Sequence, residues 1–189
     1  MNNLTGIIKE TVKVLLQGGV ILYPTDTLWG LGCDATNSEA VRRIYRIKQR
    51  ADKHSMLILL DTESKLPYYV KQVPEIAWQL TEVSNSPLTI VYPGARNVAS
   101  ELIASDGSLG IRIVEDEFCS SLIAQMKKPL VSTSANITGE AAPENFMGIS
   151  EKIKGSVDYI VPLRQEETEE KTASSIIKIE IDGQFKIIR

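Results

Sequence analysis

The chain has 189 residues, 43% of them hydrophobic and 24% charged, with a net charge of −3 and a pI near 5.3. These values fit one globular domain over 1–189 that buries about 70% of its unfolded surface, and exclude a chain drawn as a whole to nucleic acid or membrane. Two cysteines, Cys33 and Cys119, lie far apart outside any CxxC pattern and read as small buried hydrophobes, while a lone histidine, His54, excludes histidine-rich zinc sites.

In chain order, residues 4–17 place Ile7, Ile8, Val12, Leu15 and Leu16 at helical spacing, and Gly18-Gly19 ends the run. VILYP (20–24) is a short apolar run closed by proline and reads as a buried strand. Residues 37–50 restart a helix, capped by Asn37 or Ser38, with Val41, Ile44 and Tyr45 on its inner face. MLILL (56–60) is a second buried strand, and residues 62–83 hold one or two helices around Pro67 and Pro74. Strands are expected at 87–93 and 109–114, a helix near 116–127, a strand at 129–133, a short helix near 146–154 and a strand at 157–161. The terminal SIIKIEIDGQFKII alternates around Asp182-Gly183, which predicts a hairpin with a two-residue turn. Gln165–Lys171 reads as an acidic surface loop. Mixing of βα units with a final hairpin predicts an α/β fold with a mixed sheet.

The first residues lack a basic stretch leading into an apolar core, and no apolar run approaches a membrane span, so no membrane association and a cytoplasmic location are expected. Several chemistries are absent. GxSxG is missing, which removes a nucleophile elbow, and no GxxxxGK[ST] offers a P-loop. Gly30-Leu31-Gly32 lacks the third glycine of a dinucleotide fingerprint.

Three polar clusters remain, each at or near a strand-like segment: Thr25-Asp26-Thr27, Lys48-Gln49-Arg50 with Lys53 and His54, and Ser132-Thr133-Ser134-Ala135-Asn136. Each alone reads as a cap or turn, but three together, one of them basic, point to a site for a polyanion at converging strand ends. Arg42, Arg46 and Arg50 share one helix face and read as solvated, whereas Lys48 and Arg50 also fall where that helix turns toward a strand. Arg112 stands between apolar residues, so it is either half of a structural salt bridge, with Asp26 a candidate partner, or a ligand-carboxylate contact. Tyr23 and Trp29 read as core packing.

Taken in order, YPTDTLWGLGCDA (23–35), KQRADKHSM (48–56), PLTIVYPG (87–94), GIRI (110–113), VSTSANITG (131–139) and the ending SSII…IIR resemble the YrdC family, and within it the single-domain threonylcarbamoyl-AMP synthases. That resemblance implies a twisted mixed sheet surrounded by helices, with a concave basic pocket. It implies a reaction in which L-threonine, bicarbonate and ATP, with Mg²⁺ carried on the ATP, give threonylcarbamoyl-adenylate and pyrophosphate. The product would serve N6-threonylcarbamoyladenosine formation on tRNA, reached indirectly through a transfer complex. By motif, Lys48 and Arg50 would hold the phosphates and carry the catalysis. His54, Ser132, Asn136 and Arg189 would complete the nucleotide site, and Thr27, Thr89, Arg112, Ser134 and Ser174 would line the threonine site. The rival expectation is a non-catalytic module with weak RNA binding in the same concavity, which the acidic pI and scarce aromatics oppose.

Overall fold

The computed structural model describes residues 4–49, 56–169 and 171–189. Helix α1 (Leu4–Leu16) ends where Gly18 takes φ +82° and the Gly19 N–H closes on the Val14 carbonyl, a glycine-dependent helix stop. Strands β1 (Ile21–Tyr23) and β2 (Gly30–Gly32) follow, then helix α2 (Ser38–Ile47), whose Asn37 cap accepts from the Ala40 N–H. After β3 (Leu57–Leu60) come the short α3 (Leu66–Tyr69) and α4 (Glu75–Val83), divided at Pro74. Next are β4 (Leu88–Tyr92), β5 (Leu109–Ile113), α5 (Glu117–Met126) and β6 (Leu130–Ser134). Helix α6 (Glu151–Lys154) and strands β7 (Tyr159–Ile160), β8 (Ser175–Ile179) and β9 (Phe185–Ile187) complete the chain.

The nine strands lie in the order β7-β1-β2-β6-β3-β5-β4-β8-β9, with parallel pairs (β1 with β7, β3 with β5, β4 with β8) among antiparallel ones. The expected mixed α/β sheet is what forms. Strand β6 joins its two halves, pairing Leu57–Leu59 on one edge and Gly30–Leu31 on the other.

Alternation along the strands divides the core. Ile21, Tyr23, Leu59 and Leu130 pack on one face against Ile8 and Leu15 of α1 and Phe118 and Leu122 of α5. Leu22, Leu31, Ile58 and Val131 face the other side, against Val41 and Ile44 of α2. Helices α1 and α5 cover only part of their face. Leu57 and Ser132, two residues along from Leu59 and Leu130 on the same side, line a cavity instead. Tyr23 and Cys33 are fully buried, Trp29 nearly so, and both cysteines are free, as their reading as packing groups requires.

Four local expectations are corrected. β2 was hidden because three residues reading Gly-Leu-Gly carry no alternation; the glycines are needed there, since a Cβ on Gly32 would sit 2.6 Å from the Tyr23 ring and 2.9 Å from the Val131 carbonyl. Helix α2 stops at Ile47 because Gln49 adopts φ +52°, so the helical register does not carry the basic cluster. The helix expected over 146–154 begins only at Glu151, after the Ser150 cap. The terminal hairpin turns through residues 181–183 rather than two: Glu180 and Gln184 still pair, and Gly183 supplies the left-handed residue at φ +84°.

No described helix is long and apolar enough to cross a membrane.

Candidate active site

A cavity of about 590 Å³ opens on the uncovered part of the sheet face. Its floor follows from strand alternation. Thr89 and Val91 of β4, and Gly110 and Arg112 of β5, point into it, while Ile90, Ile111 and Ile113 face a second cleft on the opposite side. Nine of the eleven expected site residues line it: Thr27, Lys48, Thr89, Arg112, Ser132, Ser134, Asn136, Ser174 and Arg189. Arg50 and His54 lie outside the described residues. Among the described lining residues the charges are those of Lys48, Arg112 and Arg189, with no carboxylate.

Arg112 is 2% exposed. Its Nη1 lies 3.0 Å from Asp26 Oδ1, a distance for an ion pair, yet that buried oxygen accepts no hydrogen bond of good angle; Nη1 donates instead to Thr27 Oγ1 at 3.2 Å. Arg112 therefore has its salt-bridge partner in Asp26, while its buried Nε has no hydrogen-bond partner among the described residues. An unmatched guanidinium donor at a cavity wall is suited to a ligand acceptor.

The Thr25–Thr27 turn supplies the adjoining wall. Thr25 Oγ1 donates to the Leu28 carbonyl at 2.8 Å and accepts the Thr27 N–H at 3.0 Å. Its single proton is then committed, so the 2.9 Å contact between the two hydroxyls is a donation from Thr27. Thr27 Oγ1 is left with lone pairs, one for Arg112 and one free to accept from a ligand. Across the cavity Thr89 Oγ1 and Ser174 Oγ, both buried, share a hydrogen bond of 2.8 Å. Arg189, two residues past β9, donates through Nε and Nη2 to the Ser174 carbonyl at 3.2 and 3.0 Å, fixing that residue.

Lys48, 2% exposed, caps α2 and is folded into the third polar cluster. Its ammonium donates to the Ser134 and Asn136 carbonyls at 2.5 and 2.8 Å, and its own carbonyl accepts from the Thr138 N–H at 3.0 Å. Asn136 in turn donates to the Ile137 and Glu140 carbonyls. The lysine thus organises the Ser134–Glu140 loop as well as placing positive charge at the cavity. Tyr23 braces β6 from below, donating to the Val131 carbonyl at 3.2 Å; burial pushes its phenol well up, so it stays a neutral donor.

The cavity also has apolar lining, with Leu102 and Ala104 brought in by the excursion between β4 and β5, Leu109 at the start of β5, and Trp29 packed on Phe146 at 4.9 Å. No motif marks Leu102 or Ala104, and only the tertiary fold reveals them. Among the described residues no group of three or more His, Cys, Asp or Glu is arranged to hold a metal ion.

A mixed α/β sheet with a hydroxyl-rich recess lined by Lys48, Arg112 and Arg189 defines a candidate small-molecule site. More particularly, the chain belongs to the Sua5/YciO/YrdC family, whose model, described as "Telomere recombination", matches residues 13–189. It is 32% identical over 138 residues to a threonylcarbamoyl-AMP synthase of Hydrogenovibrio crunogenus, covering 70% of this chain and 74% of that one. It is 31% identical over 157 residues to a threonylcarbamoyl-AMP synthase of Pseudoalteromonas translucida, covering 82% and 84%. Among solved structures, P. abyssi Sua5 complexed with L-threonine superposes with a TM-score of 0.80 at 25% identity, over 91% of this chain and 50% of that one. The chain thus spans about half the length of that Sua5. E. coli YciO shares the fold with a TM-score of 0.84 at 24% identity, over 97% of this chain and 88% of that one.

Proposed function

We propose that this protein is an L-threonylcarbamoyl-adenylate synthase, a nucleotidyltransferase that condenses L-threonine, bicarbonate or carbon dioxide, and ATP with release of pyrophosphate and, from bicarbonate, of water. The observation that carries the reading is the buried Arg112 guanidinium, whose Nη1 bonds Thr27 while its Nε has no hydrogen-bond partner among the described residues, in the same recess as Lys48 and the Ser132–Asn136 cluster. A carboxylate donor and a phosphate-binding set within one cavity are what an amino-acid adenylation requires. The names of the two synthase relatives and of the threonine-bound Sua5 agree with it.

In this reading Arg112 takes the threonine carboxylate. Thr27 Oγ1 accepts from the substrate's amine or hydroxyl, and the Thr89–Ser174 pair borders the same end. Ser132 and Asn136 face the nucleotide, with Arg189 closing over it, and Ser134 lies on the threonine side. The threonine amine adds to carbon dioxide with loss of a proton, or to bicarbonate with loss of water, giving a carbamate; a carbamate oxygen then attacks the α-phosphate and the bond to the β-phosphate breaks, expelling pyrophosphate. The protein supplies orientation and charge stabilisation, with Lys48 and Arg50 neutralising the phosphates and His54 nearby. Magnesium arrives on the nucleotide as part of the substrate. The product is a mixed anhydride suited to a separate complex that modifies tRNA. A non-catalytic RNA-binding role fits the recess less well, because two of its three lining cations, Lys48 and Arg112, are buried rather than exposed to a nucleic-acid backbone.

The test is pyrophosphate release from ATP and bicarbonate with a panel of amino acids. Release specific to threonine is expected, and Arg50→Ala abolishes it while leaving the far-ultraviolet circular dichroism intact. Absence of threonine-dependent release sinks the proposal.

A further inference from the structure

The Pro24–Asp26 stretch belongs to no strand or helix, yet it positions Thr27 and the partner of Arg112. What holds it comes from behind the cavity. Cys119 Sγ reaches the Pro24 carbonyl at 3.6 Å, within range for a thiol donor, and Arg164 Nη1 donates to the Thr25 carbonyl at 3.4 Å. One carboxylate organises both donors. Asp116 Oδ1 accepts the Cys119 N–H at 2.9 Å as the cap of α5, and Oδ2 pairs with Arg164 Nη1 at 2.6 Å. The Asp116 side chain is only 5% exposed. Burial, followed by the neighbouring Asp116 charge, pushes the Cys119 thiol well above its ordinary range, which keeps the S–H available to donate. Arg164 itself sits at φ +54°, in the left-handed region that favours glycine, so its side chain rather than its backbone preference accounts for its presence at that corner.

We propose that Asp116, Arg164 and Cys119 form a clamp on the Pro24–Thr25 backbone that sets the amino-acid end of the cavity. Arg164 is its positioning residue. The mechanical path is short: the Thr25 hydroxyl holds Thr27, and Thr27 Oγ1 holds Arg112. Arg164 also opens the connector that runs to Ala173 and Ser174 on the opposite wall, and is tied into it through Glu167, which pairs with Lys171 at 2.8 Å. Threonine recognition thereby depends on residues that touch no substrate. The assignment of the amino-acid end rests on the function proposed above, whereas the clamp itself is a statement about the Pro24–Leu28 backbone.

Two measurements separate these. Arg164→Gly suits the backbone angle and removes the whole side chain, and Arg164→Lys keeps the stem and one cationic donor able to bridge Asp116 and Thr25, since Nη1 alone makes both contacts. In wild type and both variants, amide hydrogen exchange over residues 25–28 is followed without substrates, and threonine and ATP kinetics are measured by pyrophosphate release. The clamp predicts faster exchange in Arg164→Gly and recovery in Arg164→Lys. It also predicts a rise of about tenfold in KM for threonine, with KM for ATP changed less than about twofold. Asp116→Asn, which preserves the helix cap while removing the charge, gives the same pattern more weakly. Unchanged exchange over 25–28, or equal rises in both KM values accompanied by a lowered melting temperature, overturns the clamp. If the wild type shows no threonine-dependent turnover, the proposed function fails, and the exchange comparison still decides the clamp.

Discussion

Replacing Arg112 with methionine isolates the most informative interaction in the cavity. The side chain is 3% exposed, its Nη1 bonds Thr27, and its Nε has no hydrogen-bond partner among the described residues, so a bound carboxylate would meet a desolvated fork. Hydrogen bonds to charged groups contribute about 1.5–3 kcal/mol each, and a pair of them weakened by mutual sharing with Asp26 and Thr27 is worth about 3 kcal/mol. That corresponds to a loss on the order of a hundredfold in threonine affinity. Methionine keeps the volume and the apolar stem, but it strands Asp26, whose side chain is 25% exposed and so remains partly hydrated. A double variant, Asp26→Asn with Arg112→Met, removes that residual charge and keeps the fold comparison fair. Isothermal titration of L-threonine into each protein, with thermal melting alongside, gives the result. A hundredfold weaker affinity in both variants, with the double variant melting close to wild type, is expected. Threonine affinity within about threefold of wild type in a folded double variant refutes the assignment of Arg112 to the carboxylate.

Lys48→Met should act on stability as well as activity, because it leaves the Ser134 and Asn136 carbonyls without their donor; about 2–3 kcal/mol is at stake, a fall of about 6–10 °C in melting temperature, with turnover lost even in saturating ATP. Gly32→Ala should destabilise by about 1–3 kcal/mol in urea titration, since its Cβ would meet the Tyr23 ring at 2.6 Å and the Val131 carbonyl at 2.9 Å. Asp158 accepts from the Val20 N–H at 2.7 Å and pairs with Arg43; burial raises its carboxyl, but these contacts outweigh burial and hold it below the ordinary range. Its stabilising effect is therefore full above the unfolded pKa of about 3.9 and lost as pH falls through the lower folded value. The melting difference between wild type and Asp158→Asn should be largest near neutral pH and shrink below about pH 4, and a difference that persists at the acid end contradicts the pairing.

Strands with dense apolar runs were legible from the chain alone because burial on both faces writes itself into composition: MLILL became β3 and PLVST became β6 within a residue of their expected ends. Gly30–Gly32 was not legible, because its pairing is dictated by the closeness of Tyr23 and Val131 rather than by its own side chains. The polar clusters were visible as residue types, and family resemblance supplied the order that made them one site. What neither supplied was the partnering. Nothing in the sequence says that Lys48 is folded under the Ser134–Asn136 carbonyls, or that Arg164 reaches back across 139 positions to Thr25. Such contacts join segments distant in the chain, and local periodicity carries no record of them. The apolar cavity lining at Leu102 and Leu109 is hidden for the same reason.

The most direct measurement is identification of the product. Purified protein incubated with ATP, L-threonine and isotopically heavy bicarbonate should release pyrophosphate and form threonylcarbamoyl-adenylate whose mass carries the heavy carbon. An adenylate of threonine lacking that carbon, or ATP consumption independent of threonine, contradicts the proposed chemistry.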